Sequence, residues 1–464
     1  MTGHSLRARL TMALALGVLL LSAVATPASA AVQIRWVDDD NRNGDGPRQC
    51  NNAGFHNIQA AINASGPWDK VYVCPGNYTG FLTIDVRGLE VRSMPALGAK
   101  LYPPNAPVGP FGIGPEALVT ITARDAQLVG FWLKFLDGDP EIFLPAIPTT
   151  CANVDVAILV LAPHAIVKAN HIKTRGDNTY IGECGYNIGI VVDDEWDNLF
   201  GPTLLWRNWI RDFKFAGILV EPGSSARLWN NQIRFVHYND PATCNLIPVL
   251  GILPTIDAIF PCELDFAPPD VAPLNGLFIG ESAGILVEGA KVDLRANSVY
   301  STLDTAVLAG PIPIVLAAGI VLIDPVDGSR VRSNRVDNTG IGLLLAEGDV
   351  DVPLALPTAP DGLAVSGNRV SETIFSFIVD GTDGVYYGNR AHLNIFGMLV
   401  GTDAADNTFI QNDFRYNVVI DCADESTTDA SGADTLGTNN DWDAVNLGFE
   451  DDPDGLCYDF FPIV

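Results

Sequence analysis

The segment Val192-Asp193-Asp194-Glu195-Trp196-Asp197 sets four carboxylates within five residues. Carboxylates this close suit calcium ligation or an acid and base pair, and they equally suit a solvated acidic turn. Trp196, Trp206, Trp209 and Trp229 lie near it in sequence and offer flat apolar faces for sugar rings. A second oxygen-rich segment, Asp39-x-Asn41-x-Asn43-Gly44-Asp45, matches the opening of a calcium loop. Its twelfth position is Cys50, where an EF-hand carries a bidentate glutamate, so an ordinary Asx-rich turn competes with that reading. Calcium is the one cofactor these residues suggest. No phosphate loop or His-Glu-x-x-His occurs, which leaves those enzyme classes without support.

Groups so scattered need a frame to bring them together, and the chain supplies one by repetition. An Asn followed two residues later by an apolar residue recurs at Asn170, Asn208, Asn231, Asn297, Asn334, Asn368, Asn389 and Asn412. A second short strand follows most copies, as in Gly189-Ile-Val-Val, Gly217-Ile-Leu-Val, Gly284-Ile-Leu-Val, Gly319-Ile-Val-Leu, Gly342-Leu-Leu-Leu and Gly397-Met-Leu-Val. The Asn separations are 38, 23, 66, 37, 34, 21 and 23, as if loops had been inserted into a coil of about 22 residues. Short strands at such a period describe a parallel β-solenoid, whereas hairpin turns such as Asn-Gly, which a sandwich would need, are scarce. Asn at one fixed point tolerates the left-handed backbone of a tight turn, and its amide can bond the Asn of the next coil.

If each Asn and the residue two beyond it face inward, the residues one and three beyond form two outward columns. The first is His171, Trp209, Gln232, Ser298, Arg335, Arg369, Arg390 and Asp413; the second is Lys173, Arg211, Arg234, Tyr300, Asp337, Ser371, His392 and Arg415. Seven of these sixteen slots hold Lys or Arg, in a chain with 27 such residues among 464. Stacked cations repel unless an anion lies along them, so the columns point to a groove for an acidic polysaccharide. The competing reading is a solvated face whose charges are neutralised by neighbours.

Phe55-His-Asn-Ile-Gln-Ala-Ala-Ile-Asn-Ala-Ser places Ile58, Ala61 and Ile62 on one helical face, and Trp68-Asp-Lys-Val-Tyr-Val-Cys-Pro-Gly-Asn-Tyr follows as strand, turn and strand. Such a helix would close the open end of a solenoid. This stretch resembles the entry segment of the pectate-lyase-like superfamily, and the Asn and Gly-Ile repeats extend the resemblance to about residue 420. The resemblance implies an all-β chain, a right-handed parallel β-helix with a short N-terminal capping helix. In the superfamily's lyases, calcium-binding Asp residues and an Arg or Lys base remove a proton beside a uronate carboxylate. Asp193 and Asp194, with Lys173, Lys214, Arg211 or Arg234, would take those parts here, and Trp196, Trp209, His171, Arg335, Arg369 and Arg390 would hold substrate. The Asn-Thr-Asp, Gly-His-Gly and Arg-Ile-Lys set of the polygalacturonase-like hydrolases and the Asp-Pro-His-Asp of alginate epimerases are absent. The fold thus implies an acidic-polysaccharide binder or lyase, with a non-catalytic surface scaffold or adhesion protein as the alternative.

The ends and the charge are consistent with a protein outside the cytoplasm. Arg7 and Arg9, the apolar run Leu10–Val24 and the small-residue site Ala28-Ser29-Ala30 read as a cleaved leader over residues 1–30. A cap and first coil are expected over 31–85, the β-helix over 86–420 and an acidic closing segment over 421–464. Long apolar excursions interrupt the helix at 238–282 and 346–361. The eight cysteines follow the leader, and neighbour pairing gives Cys50–Cys74, Cys151–Cys184, Cys244–Cys262 and Cys422–Cys457. A net charge of −28 disfavours nucleic acid and anionic membrane as partners, and no later segment is long and apolar enough to span a bilayer.

Overall fold

The structure, a computed structural model, describes residues 31–40, 48–104, 117–134, 156–173, 188–194, 201–213, 215–236, 279–302, 316–346, 362–401, 404–424, 426, 440–442, 446–448 and 451–452. Among them the chain winds through three sheets, every strand pair of which is parallel. Sheet A has 13 strands from Ile34–Val37 to Asp441–Trp442, sheet B has 10 from Gly76–Thr79 to Arg390–His392, and sheet C has 12 from Leu82–Ile84 to Asp451–Asp452. One coil shows the path: Thr203–Trp206 in A, Trp209–Arg211 in B, Ala216–Val220 in C, then back to A with Ser225–Trp229. This is a right-handed parallel β-helix with three faces. Strands this short bury too little alone, and each is held by the coils above and below it.

The inner residues repeat in strict register. Ile172, Ile210, Ile233, Val299, Val336, Val370 and Ala391, each two beyond its Asn, stack down the inside of sheet B and are buried. Sheet C differs from B because its outward residues, among them Leu219, Leu286, Val321 and Leu344, form a second buried apolar cluster. A strand buried on both faces needs no alternation, and this explains why its copies read as continuous apolar runs such as Gly-Ile-Leu-Val.

The repeated Asn side chains form a buried ladder in the A-to-B corner. Each Nδ2 donates to the Oδ1 of the next Asn, at 3.2 Å for Asn170 to Asn208 and 3.0 Å for Asn297 to Asn334, and onward to Asn446. The same Oδ1 accepts from the backbone N–H of the preceding Asn, as Asn334 does from Asn297 at 2.9 Å. The left-handed residue, however, is not the Asn but the one before it: Ala169, Arg207, Asn230, Ala296, Ser333 and Gln411 have φ between 52° and 56°. The Asn is needed for its buried amide, which can donate and accept at once, and the turn falls to whichever residue precedes it.

Helix α1 (Ile58–Asn63) covers the N-terminal end with Ile58, Ala61 and Ile62 buried, as the sequence predicts. Asn57 caps it, its side chain accepting the Ala60 N–H at 3.0 Å. Cys50 and Cys74 form a disulfide with Cα atoms 5.8 Å apart, tying the turn before α1 to the end of strand Lys70–Val73. Cys422 is also disulfide-bonded; Cys151, Cys184, Cys244, Cys262 and Cys457 lie outside the described residues. The acidic end adds strands Ile420–Asp424, Asp441–Trp442 and Asp451–Asp452 to the sheets. Of the two excursions, 237–278 and 347–361 lie outside the described residues, while strands Ile279–Glu288 and Ile341–Ala346 bound them. No helix among the described residues is long and apolar enough to cross a membrane.

Candidate functional site

Sheet B carries both outward columns in the register that the Asn spacing predicts. His171, Trp209, Gln232, Ser298, Arg335, Arg369, Arg390 and Asp413 align coil by coil, and beside them run Lys173, Arg211, Arg234, Tyr300, Asp337, Ser371 and His392. The columns extend further toward the N-terminus than the Asn pattern reveals. Trp132 aligns with His171, Lys134 with Lys173, and Lys100 with Trp132. The sequence signal there is Gly130-Phe131-Trp132-Leu133-Lys134, with the same alternation but Phe131 in place of the Asn. The Phe131 N–H still donates to Asn170, at 2.9 Å.

These columns divide into two chemically different halves. Toward the C-terminus the cations meet carboxylates on the same face. Arg335 donates to Asp337, while Asp413 receives Arg415 at 2.8 Å, His392 at 2.9 Å and Arg390 at 3.4 Å. Burial pushes the Asp413 carboxyl up, but the hydrogen bonds from Arg415 and His392 outweigh it and hold the group down at about 2. Arg369 is exposed between these clusters. Toward the N-terminus Lys134, Lys173, Arg211 and Arg234 occupy four successive coils, and neither column holds a carboxylate there. Asp212, on the adjoining corner, comes within 3.9 Å of Arg211. Adjacent coils stand about 4.8 Å apart, so this half presents a row of cations at regular spacing.

His171 departs from the expectation of an outward substrate-binding side chain. Its ring is stacked between Trp132, 5.0 Å away, and Trp209, 4.3 Å away, and it is only 5% exposed. Rings on successive coils lie at stacking distance, so an outward slot flanked by two indoles becomes buried. Trp209 is 42% exposed, but one face meets His171 and the Arg211 guanidinium lies 5.2 Å from its centroid. Burial, with Arg211, Lys173 and Lys134 nearby, pushes the His171 imidazole down to about 4 from 6.5. It is neutral at neutral pH and adds no charge to the row. The unfolded chain binds this proton near pH 6.5 and the folded chain only near pH 4, so stability declines as pH falls through that window. The full cost is about 3 kcal/mol. We expect His171→Phe to flatten this decline in denaturant melts taken from pH 7 to pH 4, and parallel curves for both proteins would refute the assignment.

Asp193 and Asp194 do not converge with Lys173, Arg211 and Arg234. They leave sheet C after strand Ile188–Val192 and enter the C-to-A corner, whereas the cations stand on sheet B. Asp193 is exposed, and Asp194 is buried. The Asp194 carboxylate accepts the Thr203 hydroxyl at 2.5 Å and the Ser225 N–H of the next coil at 3.1 Å. Desolvation pushes its pKa up to about 6 despite these bonds. The tryptophans divide as well, since Trp206 and Trp229 pair on sheet A, under Lys168 and Arg227 respectively. Glu195, Trp196, Asp197 and Lys214 lie outside the described residues. In the other oxygen-rich segment, Asp38, Asp39 and Asp40 bring carboxylate oxygens within 4.8 Å of one another, and Asp39 accepts the Asn77 N–H at 2.7 Å. Asn41, Asn43 and Asp45 lie outside the described residues.

No protein-family model and no curated protein matches the chain. Among solved structures, it is similar to the PL6 family polysaccharide lyase Pedsa3628 from Pseudopedobacter saltans, with 9% identity, a TM-score of 0.45, and 85% of this chain and 91% of that one covered. It is similar to the Dettilon tailspike protein at 13% identity and TM-score 0.41, covering 83% of this chain but 62% of that one, less than two thirds of the tailspike. Pectate lyase Pel9A matches at 10% identity and TM-score 0.33, with 89% and 80% covered. These are likenesses of chain path, and the three parallel sheets themselves establish the fold that this chain has, a right-handed parallel β-helix.

Proposed function

We propose that this protein works outside the cytoplasm and binds an acidic polysaccharide along the N-terminal half of sheet B, without cleaving it. The observation that carries this reading is the row Lys134, Lys173, Arg211 and Arg234, four cations on four successive coils of a chain whose net charge is −28. A net negative protein repels polyanions in general, so a local cationic row selects a ligand that can lie along it. Binding is favoured over lyase chemistry because the paired carboxylates Asp193 and Asp194 stand at another corner and Asp194 is committed to Thr203 and Ser225. The leader-like N-terminus and the Cys50–Cys74 disulfide support export.

In affinity electrophoresis the exported chain is expected to be retarded by polygalacturonate or alginate and not by neutral dextran, with retardation falling as salt rises. Reversing Arg211→Glu and Arg234→Glu together is expected to weaken retention by at least about tenfold. Equal migration in acidic and neutral gels, or no effect of the reversal, would overturn the proposal. A second reading, a stiff non-catalytic surface scaffold, is favoured by the ring faces of Trp132, His171 and Trp209 being turned to one another rather than to a ligand. Absence of retention would select it. Release of an unsaturated uronate product would restore the lyase reading.

A further inference from the structure

A third column runs along the edge of sheet A that faces the Asn corner. Register aligns Lys168, Trp206, Trp229, Arg295, Arg332, Ser366, Tyr387 and Ile410 in successive coils. Every rung but one is a large side chain, and the exception is Ser366. The neighbouring left-handed corner residues are small over four successive coils here, Ala296, Ser333, Gly367 and Gly388, with Gln411 in the coil after them. A cavity of about 350 Å³ opens there, with Arg295 and Arg332 lining one side and Tyr387 the other.

We propose that this cavity is a binding slot for one six-membered ring carrying a carboxylate, a uronic-acid unit. Arg332 and Tyr387 stand two coils apart, about 9.6 Å along the axis, so a ring at the level of Ser366 sits about 4.8 Å from each. That is the separation at which the protein stacks its own rings, 5.0 Å and 4.3 Å in the Trp132, His171, Trp209 ladder. The slot is therefore a missing rung with the height of a single ring. Tyr387 is 49% exposed and supplies an apolar face for a pyranose. Arg332 is held by both oxygens of Asp293, at 2.8 and 3.1 Å, which fixes one wall. Arg295, exposed on the rung above, is left to meet the ligand carboxylate, and the Ser333 and Ser366 hydroxyls can bond the ring hydroxyls. A Tyr face and the Arg332 wall two coils apart, with the exposed Arg295 one coil beyond Arg332 and lining the same cavity, select a ring that is apolar on its face and anionic at its edge. The slot lies on the A-to-B corner and stands whether or not sheet B binds a polymer.

Digalacturonate, too short to lie along four coils, is the probe, and ligand-observed NMR titration of the exported chain is the measurement. The wild-type protein is expected to bind it saturably, and neutral digalactose and benzoate at least about tenfold more weakly. Ser366→Trp, which fills the rung, Tyr387→Ser and Arg295→Gln are each expected to weaken binding by about tenfold, with denaturant melts confirming that each variant folds. The Arg211→Glu and Arg234→Glu pair is expected to leave it unchanged. Absence of saturable binding, affinity unaltered by both Ser366→Trp and Tyr387→Ser, or benzoate binding as tightly as the uronate would each overturn the slot.

Discussion

Asn297→Ala is expected to lower the unfolding free energy by about 4 kcal/mol. The Asn297 side chain accepts the Asn231 backbone N–H and its Nδ2, both at 3.0 Å, and donates to the Leu228 carbonyl at 2.7 Å and to Asn334 Oδ1 at 3.0 Å. Alanine leaves the Asn231 N–H, one Asn231 amide hydrogen and the Leu228 carbonyl without these partners in a dry interior, and each buried orphan costs about 1–3 kcal/mol. Asn334 keeps the Asn297 N–H, so the damage is directed toward the preceding coils. Asn297→Asp tests the same idea differently, because a carboxylate can still accept but cannot donate, and it is buried as a charge. It is expected to be at least as destabilising as alanine. A loss below about 1 kcal/mol in guanidinium melts of Asn297→Ala would show that the ladder is decorative rather than a source of stability.

Gly284→Ala is expected to destabilise by about 3 kcal/mol, against the usual sign for glycine to alanine in unstrained backbone. A Cβ at this position would lie 2.3 Å from Val299 Cγ1 and 2.6 Å from the carbonyl oxygen of Gly319 in the next coil. The valine is stiff at χ1 and the carbonyl belongs to a packed strand, so the coils themselves must separate. Gly217 and Gly319 meet the same pair of obstacles, the next coil's carbonyl and a β-branched side chain of sheet B. Glycine in the Gly-Ile motif is thus required by close approach of neighbouring backbones. Trimming the valine should recover only part of the loss: Val299→Ala removes the side-chain clash while the Gly319 carbonyl remains. A Gly284→Ala protein as stable as wild type in the same melts would refute this reading.

Both effects fall on residues that the sequence already marks, and this shows what a periodic chain reveals by itself. Asn and Gly recur because each coil repeats the same contact with the next, so the pattern is written once per turn. The alternation within Asn-x-Ile then sets which residues face in, and with it the register of both outward columns from His171 to Asp413. The capping helix was legible for the same reason, since Ile58, Ala61 and Ile62 share one face of a single local element.

What the tertiary structure alone decided depends on neighbours one coil away, at sequence separations that run from 21 to 66 residues between successive ladder positions. His171 lost its exposure to two indoles contributed by the coils on either side. Arg335 and Arg390 meet carboxylates within the columns, while Lys134, Lys173, Arg211 and Arg234 follow one another on four successive coils whose column positions hold no acid, and no local spacing distinguishes these halves. Asp193 and Asp194 are near the cations in sequence but turn a different corner of a three-sided helix, where Asp194 binds a hydroxyl and an N–H. The slot at Ser366 is visible only when Arg332 and Tyr387, each one coil from it, are placed above and below. Sequence determines what each coil must repeat, because that contact is the same at every turn; the structure determines which side chains meet across coils, because loops of unequal length separate them along the chain.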